Sequence, residues 1–211
     1  MKRDYFLPLP EIALAQGVRL HRPVQHLPER VTLESPALDV MTDLRQCVAL
    51  TIEPEASIEA ANAWMIRRGV RLLFVTDPQD HLVGLISATD ILGEKVVQAM
   101  QARGVSRQEV LVREIMTPHA YLEAINMDDV RGAKVGHVLS TLKRAGRQHA
   151  IVVEVREPTF HESLVALPEQ IPLQTVRGLF SATQIARQLG LQVQSPELGT
   201  TFAEFEALLA H

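Results

Sequence analysis

The segment Gly-Leu-Ile-Ser-Ala-Thr-Asp-Ile at residues 84–91 returns as Gly-Leu-Phe-Ser-Ala-Thr-Gln-Ile at residues 178–185. Six of the eight positions are identical, and both copies lie where an apolar segment gives way to a helix-forming one. A repeat of this kind predicts two copies of one structural unit that pack on each other. The difference with the largest chemical consequence is Asp90 in the first copy against Gln184 in the second.

The same order of elements surrounds both motifs: strand, helix, strand, strand, helix. Ser57 and Gly69 are suited to begin and end the first helix of copy one, and Gly146 to end its counterpart in copy two. The two helices of each copy should cover one face of a small sheet, which makes the fold α+β. In copy one we predict strands at 48–52, 72–75 and 82–86 and helices at 57–69 and 89–101. In copy two we predict a helical stripe over 135–142, strands at 150–155 and 176–180, and a helix ending at Leu189.

The chain divides into four segments on this basis. Residues 1–37 contain several prolines, and we expect them to form an extended arm with one short helix near residues 11–16. Repeat one spans 38–104 and repeat two spans 110–190, with a long proline-containing loop at 156–175. Residues 191–211 carry a capping box, Thr201-x-x-Glu204, before an apolar stripe. We predict an amphipathic C-terminal helix there, which either docks on its own chain or helps to pair two chains.

Composition excludes several classes of function. A net charge of −4 argues against binding of nucleic acid polymers, which usually requires a strongly basic face. The single cysteine, Cys47, favours a reducing cytoplasm, and no apolar run approaches the roughly 20 residues that a membrane span needs. The sequence contains neither a phosphate-binding P-loop nor a Gly-x-Gly-x-x-Gly motif, and no histidine spacing typical of zinc. We therefore predict no metal, no membrane and no catalytic activity.

The motif at residues 84–91 has two interpretations. Ser87 and Asp90 form a helix N-cap pattern, in which the carboxylate also stabilises the positive end of the helix dipole. The same residues suit a nucleotide: Ser87 and Thr89 offer hydroxyls, Asp90 could accept both ribose hydroxyls, and Gly84 lets the backbone bend or approach a ligand. Ser181-x-x-Gln184 keeps the capping pattern but lacks the charge. If binding matters, copy one is the stronger site.

These features resemble the CBS (cystathionine-beta-synthase) domain. The likeness rests on Met-Thr at 41–42 and 116–117, the helix-ending glycines, and Gly-apolar-apolar-Ser-x-Thr-Asp at 84–90, and it covers about two thirds of the chain. Repeat two departs from the pattern at Gln184 and between its strands. The resemblance implies a tandem pair, or Bateman module, of two pseudo-symmetric β-α-β-β-α repeats packed through their sheets. It also implies two clefts that bind AMP, ADP, ATP, S-adenosylmethionine or NAD.

The resemblance also assigns residues to the two clefts by position. The first cleft would combine one repeat's motif with the first strand region and second-strand start of the other, and Arg71 would contact a phosphate. The second cleft, without the acid, should bind weakly or not at all. The first set is Ser87, Ala88, Thr89, Asp90, Arg71, Thr117, Tyr121, Leu122, Gln148, His149 and Ala150; the second is Thr42, Cys47, Val70, Ser181, Thr183 and Gln184, with Arg71 again nearby.

Two hypotheses follow for the function. In the first, an adenine nucleotide binds between the repeats and shifts their arrangement, and the chain signals to a separate regulated protein. In the second, the repeats have kept the fold and lost the ligand, and the chain is a structural interaction module in which Asp90 is only a helix cap. Asp90→Asn separates the two, because it keeps the cap and removes the charge. Under both hypotheses the resemblance implies a homodimer.

Overall fold

The computed structural model describes residues 23–157 and 173–191, together with Ala13 and Gln16. The expectations for residues 1–22 of the arm, for most of the 156–175 loop and for the helix over 191–211 with its Thr201–Glu204 box therefore lie outside the described residues. Within the described ranges, no helix is long and apolar enough to cross a bilayer. In the same ranges, no cluster of three or more His, Cys, Asp or Glu side chains is arranged to hold a metal ion.

The elements follow the predicted order in both repeats. The strands are β1 (Met41–Asp43), β2 (Thr51–Ile52), β3 (Leu72–Thr76), β4 (Leu82–Ser87), β5 (Thr117–Pro118), β6 (Ala124–Asn126), β7 (His149–Arg156) and β8 (Leu173–Ser181). The α-helices are α1 (Ile58–Arg68), α2 (Ala88–Leu92), α3 (Glu94–Arg103), α4 (Val112–Ile115), α5 (Met127–Arg131), α6 (Val135–Ala145) and α7 (Ala182–Gln188). Short 3-10 helices cover Ala37–Val40, Arg107–Glu109 and His119–Tyr121.

Two four-stranded sheets result, and each takes its outer strand from the other repeat. One sheet has the order β2-β3-β4-β5 and the other β6-β7-β8-β1. In each, the first pair is parallel and the other pairs are antiparallel. Strand β1 lies at the start of repeat one yet pairs with β8 of repeat two, and β5 lies near the start of repeat two yet pairs with β4 of repeat one. The Met-Thr echo in the sequence therefore marks a reciprocal exchange of strands.

The glycine that opens each motif is required by this exchange. A Cβ atom on Gly84 would lie 2.8 Å from the Met116 sulfur and 2.8 Å from the Thr117 carbonyl oxygen. A Cβ atom on Gly178 would lie 2.7 Å from the Thr42 carbonyl oxygen. Real Cβ atoms do not approach backbone oxygens so closely, so a side chain would displace the exchanged strand. Gly84 thus accommodates a neighbouring strand.

Strand β1 is also held by an ion pair. The guanidinium of Arg177 in β8 contacts the carboxylate of Asp43, and both side chains are only 11% exposed. Burial opposes ionisation of Asp43, but the bonds from Arg177, from the Arg45 N–H and from Gln46 outweigh it and keep the pKa below its ordinary value. The end of β1 and the residues that follow it are therefore fixed in place.

The two sheets pack face to face, with the helices outside. Leu72, Phe74 and Leu85 from one sheet form a shared apolar cluster with Ile151 from the other. Separate cores lie between each sheet and its helices, one around β3, β4 and α1, the other around β7, β8 and α6. The predicted α+β architecture, with two pseudo-symmetric repeats packed through their sheets, is confirmed.

The predicted helix ends are confirmed, with one exception. The Ser57 hydroxyl accepts the Ala60 N–H at 3.2 Å, and Gly69 and Gly146 end α1 and α6 in the left-handed conformation, at φ of 65° and 60°. The single helix predicted over 89–101 is wrong, because Gly93 adopts an extended conformation and divides it into α2 and α3.

The described part of the arm lies on repeat two. Backbone hydrogen bonds join Val31 to Gln188, Ala37 to Ala133 and Ser35 to Val135. Further upstream, the side-chain amide of Gln25 donates to the Met41 carbonyl at 2.9 Å and accepts the Asp43 N–H at 2.7 Å. The described part of the arm therefore packs on repeat two and holds the edge strand β1 through the Gln25 side chain.

Candidate functional site

A cavity of about 870 Å³ lies between the sheets beside the second motif. Its walls come from Pro23 of the arm, the segment 42–50, the junction of α1 with β3, the start of β7, and the junction of β8 with α7. All six residues of the second predicted set line it, as do Arg71 and His149 from the first set. That second set is Thr42, Cys47, Val70, Ser181, Thr183 and Gln184.

The lining of this cavity is cationic. Arg67, Arg68 and Arg71 approach it from the α1–β3 junction, and Arg187 from α7. No aspartate or glutamate is among its described lining residues. Arginine remains charged throughout the physiological range and presents planar, multiple donors to phosphate and carboxylate groups. The cavity is therefore suited to an anionic ligand.

Two of these arginines are held against an aromatic ring. The guanidinium carbons of Arg67 and Arg68 lie 5.9 and 5.4 Å from the ring centroid of Trp64 in α1. The Arg71 backbone is held separately, because its carbonyl accepts the Ala88 N–H at 2.9 Å. The Arg71 Nε is buried without a hydrogen-bond partner among the described residues.

The second motif does not form the capping box that its sequence predicts. The Ser181 side chain makes no capping hydrogen bond at the start of α7. The Gln184 amide lies instead between Thr42 and Gln188, accepting from Thr42 Oγ1 at 3.5 Å and donating to Gln188 Oε1 at 3.4 Å. Both bonds are long and therefore weak. Gln184 is thus available to a ligand at little cost in capping energy.

The first motif is a complete capping box. The carboxylate of Asp90 accepts the Ser87 N–H at 2.9 Å and the Ser87 hydroxyl at 2.6 Å, while the Ser87 hydroxyl accepts the Asp90 N–H at 3.3 Å. The other oxygen of the Asp90 carboxylate accepts from Lys95 Nζ at 2.6 Å. The capping interpretation of this motif is confirmed. Asp90 is committed to protein contacts that Gln184 lacks.

The rest of the first set is distributed along the facing segments. Thr117 is in β5 opposite Leu85, Tyr121 is exposed, and Leu122 packs into the cluster between the sheets. Thr89 is exposed, and the Ala88 N–H is bonded to Arg71. The Gln148 carbonyl accepts the Ala182 N–H at 2.8 Å, and Ala150 pairs with Phe180. These contacts are structural.

His149 lies between the two motifs. It lines the cavity at the start of β7, and its ring is close enough to Arg71 and Asp90 to feel both charges. Loss of hydration by burial, together with the nearby Arg71, lowers the pKa of His149 to about 4, although Asp90 opposes the shift. The ring is therefore neutral at pH 7 and contributes polarity, but no charge, to the cavity.

Cys47 lines the same cavity as a thiol. Its S–H donates to the Asp43 carbonyl oxygen at 3.3 Å. Burial and the negative charge of Asp43 raise the pKa of the Cys47 thiol. A thiolate is the reactive form of cysteine, so this residue is a polar wall residue and not a nucleophile.

Four residues near the two motifs were missed by reading the sequence. Arg67 and Arg68 look like a solvated helix end, and Arg187 like an exposed residue of the last helix. A signal for Arg187 exists, because it follows Gln184 by three residues and so shares its helix face. Lys95 was also missed: it follows Asp90 by five residues, a spacing that does not bring two side chains together on a continuous helix.

Comparison with known proteins finds a family model that resembles the first repeat. The model of the CBS domain matches residues 37–106. None of the curated proteins compared with the chain matches it. Among solved structures, an uncharacterized conserved protein from Pyrococcus horikoshii has 18% identity and a TM-score of 0.50, covering 78% of this chain and 99% of its own. At this identity the likeness shows the fold.

Two further solved structures are CBS pairs with bound ligands. CBSX2, a CBS-pair protein of Arabidopsis thaliana, was solved with AMP; it is 17% identical, with a TM-score of 0.47 over 72% of this chain and 94% of its own. Another CBS pair was solved with 5′-methylthioadenosine and S-adenosylmethionine; it is 18% identical, with a TM-score of 0.46 over 74% of this chain and 96% of its own. The ligands are properties of those proteins.

Proposed function

We propose that this chain, whose residues 37–106 form a CBS domain within a CBS-pair fold, is a regulatory module that binds a phosphate-bearing adenine nucleotide. The nucleotide, which is AMP, ADP or ATP, binds in the cavity beside Gln184, and the chain performs no catalysis of its own. Binding alters the arrangement of the repeats and is read by a separate regulated protein in the cytoplasm. The proposal differs from the expectation that the Asp90 cleft is the stronger site.

The charge of the cavity carries this proposal. Four arginines and no carboxylate line it among the described residues, so a phosphate gains several charge-assisted hydrogen bonds there. The same charge disfavours S-adenosylmethionine, whose sulfonium makes the ligand a net cation at neutral pH. Phosphate esters are therefore favoured over S-adenosylmethionine at this site.

The remaining walls suit a nucleoside. A volume of about 870 Å³ falls within the range of small-molecule sites. Leu50, Leu72 and Leu179 supply apolar surface on which a flat base can pack. The hydroxyls of Thr42 and Thr183 and the amide of Gln184 supply neutral hydrogen-bonding partners for ribose hydroxyls. Gln184 provides a neutral amide at the motif position where repeat one has a carboxylate, which avoids repulsion between a carboxylate and the phosphates.

Isothermal titration of the ligand-stripped protein tests the proposal. We expect AMP or ATP to bind with about one site per chain, and S-adenosylmethionine and adenosine to bind more weakly. Chromatography of the recovered nucleotide should show no turnover. If neither AMP nor ATP produces heat, or if S-adenosylmethionine binds best, the proposal is wrong, and the chain is better explained as a structural interaction module.

Replacement of Arg71 tests the phosphate contact. Arg71→Ala removes a charge-assisted donor worth about 1.5–3 kcal/mol, so the AMP affinity should fall roughly 10- to 100-fold, while the affinity for adenosine changes little. Arg113→Ala is the matched control, because Arg113 is exposed and pairs with Glu55 outside the cavity. An equal loss for AMP and adenosine would contradict a phosphate contact.

A further inference from the structure

Besides Asp90 and Gln184, the two repeats differ at a second charged position. Asp90 is followed five residues later by Lys95, whereas Gln184 is followed five residues later by Leu189. We propose that Lys95 is an internal cation that occupies the ribose-binding position of the first motif and so limits the chain to one nucleotide site. This inference rests on the proposed function and adds the reason for its stoichiometry.

The contacts of Lys95 support this role. Its Nζ donates to Asp90 Oδ1 at 2.6 Å and to the Ile115 carbonyl oxygen at 3.2 Å. Asp90 belongs to the motif of repeat one, and Ile115 directly precedes the Met116-Thr117 segment that leads into β5. The CBS resemblance assigns the motif with Asp90 and the segment that starts at Thr117 to one cleft. The ammonium group therefore bridges the walls between which a ribose would lie.

Asp90 has little capacity left for a ligand. Its two oxygens already accept from the Ser87 N–H, the Ser87 hydroxyl and the Lys95 ammonium. A carboxylate binds an ammonium group more strongly than it binds neutral hydroxyls. A ribose diol would have to displace Lys95 and leave its charge without a partner on Asp90. In repeat two neither charge is present, Leu189 packs against the core, and the cavity is open.

A break in the helix makes the contact possible. Residues five apart on a continuous helix are separated by roughly 140° around its axis and do not meet. Gly93 is extended, with ψ of −177°, and a Cβ atom there would lie 2.8 Å from the Thr89 carbonyl oxygen. The chain turns at this glycine, and α3 begins one residue before Lys95. Lys95 is 48% exposed, so its replacement should not disturb the core.

Titration with AMP tests the inference by counting sites. We expect one site per chain in the native protein, two in Lys95→Ala, and one again in Lys95→Ala combined with Asp90→Asn, which keeps the cap and removes the charge. Lys95→Arg should keep one site. Lys134→Ala is the control for the loss of a lysine elsewhere, because Lys134 pairs with Glu34 on the surface, and it should also keep one site. Thermal unfolding of each variant confirms that it is folded.

The outcomes separate this inference from the proposed function. One site in both the native protein and Lys95→Ala would overturn the role of Lys95 and leave the proposed function intact. Two sites in the native protein would also overturn the role of Lys95. No binding by the native protein, with one site in Lys95→Ala, would support Lys95 and overturn the proposed function. No binding by either protein would overturn both.

Discussion

Single residues decide the difference between the two halves of this molecule. Asp90 and Gln184 occupy the same motif position, yet Asp90 is bound by Ser87 and Lys95, while Gln184 has only weak partners at 3.5 and 3.4 Å. An acid in a binding motif is useful to a ligand only when the protein does not already neutralise it. The neutral copy therefore has the more accessible polar groups.

His149 predicts how stability depends on pH. Its folded pKa of about 4 lies below the ordinary value of 6.5, so unfolding takes up a proton between these values. The stabilisation is complete above pH 6.5 and is lost as pH falls toward 4, at roughly 1.4 kcal/mol per unit inside that window. Urea unfolding at pH 7 and pH 5 should show this loss. His149→Gln, which cannot be protonated there, should show a smaller loss; equal losses would contradict the assignment.

At the scale of elements, the exchanged strands link fold and site. Strand β1 carries Thr42 to the cavity and pairs with β8, where Gly178 leaves room for the Thr42 backbone. The Asp43–Arg177 pair and the Gln25 amide hold the same strand. A change that displaces β1 should therefore affect stability and ligand binding together.

Gly178→Ala tests this link. The added Cβ atom would lie 2.7 Å from the Thr42 carbonyl oxygen, and such overpacking costs about 1–3 kcal/mol of unfolding free energy. We also expect weaker AMP binding, because Thr42 moves with the strand. Gly132→Ala is the matched control, since no atom lies within 4 Å of its added Cβ and its φ is −99°. Similar effects of both substitutions in denaturation and titration would argue against the close approach.

For the whole molecule, the outer helices expose apolar side chains. Ile66 in α1 is 73% exposed, Leu92 in α2 is 77% exposed and Val97 in α3 is 53% exposed. Helix α2 contacts both α1 and α3, and an exposed apolar patch on neighbouring helices is typical of association surfaces. We expect these helices to pair two chains, in agreement with the homodimer that the CBS resemblance implies.

Light scattering of the protein at micromolar concentration checks the dimer. The native chain should have twice the mass of a monomer, and Ile66→Glu combined with Leu92→Glu should give a monomer, because charged groups cannot be buried unpaired in an apolar interface. Val24→Glu changes an exposed apolar residue of the arm and should leave the dimer intact. A monomeric native chain would contradict this expectation.

Much of the fold could be predicted from local sequence patterns. The repeat predicted two equivalent units, and Ser57, Gly69 and Gly146 marked helix ends, because capping and left-handed glycines depend on neighbouring residues alone. The division of the last helix of repeat one at Gly93 was not readable, because a glycine inside a helical pattern is compatible with either outcome.

The candidate site depended on contacts between distant segments. The sequence identified the residue types, and all six members of the second set meet in one cavity. From the sequence, the Asp90 motif was predicted to be the stronger binding site, because a comparison of the motifs includes Asp90 but not the lysine that neutralises it. Folding brings Lys95 to Asp90 and four arginines to Gln184 through a helix break, a strand exchange and the packing of two sheets. Local sequence therefore predicts the repeat and most of the secondary structure, whereas the charge around each motif requires the folded chain, because electrostatic neighbours are set by distance in space and not along the chain.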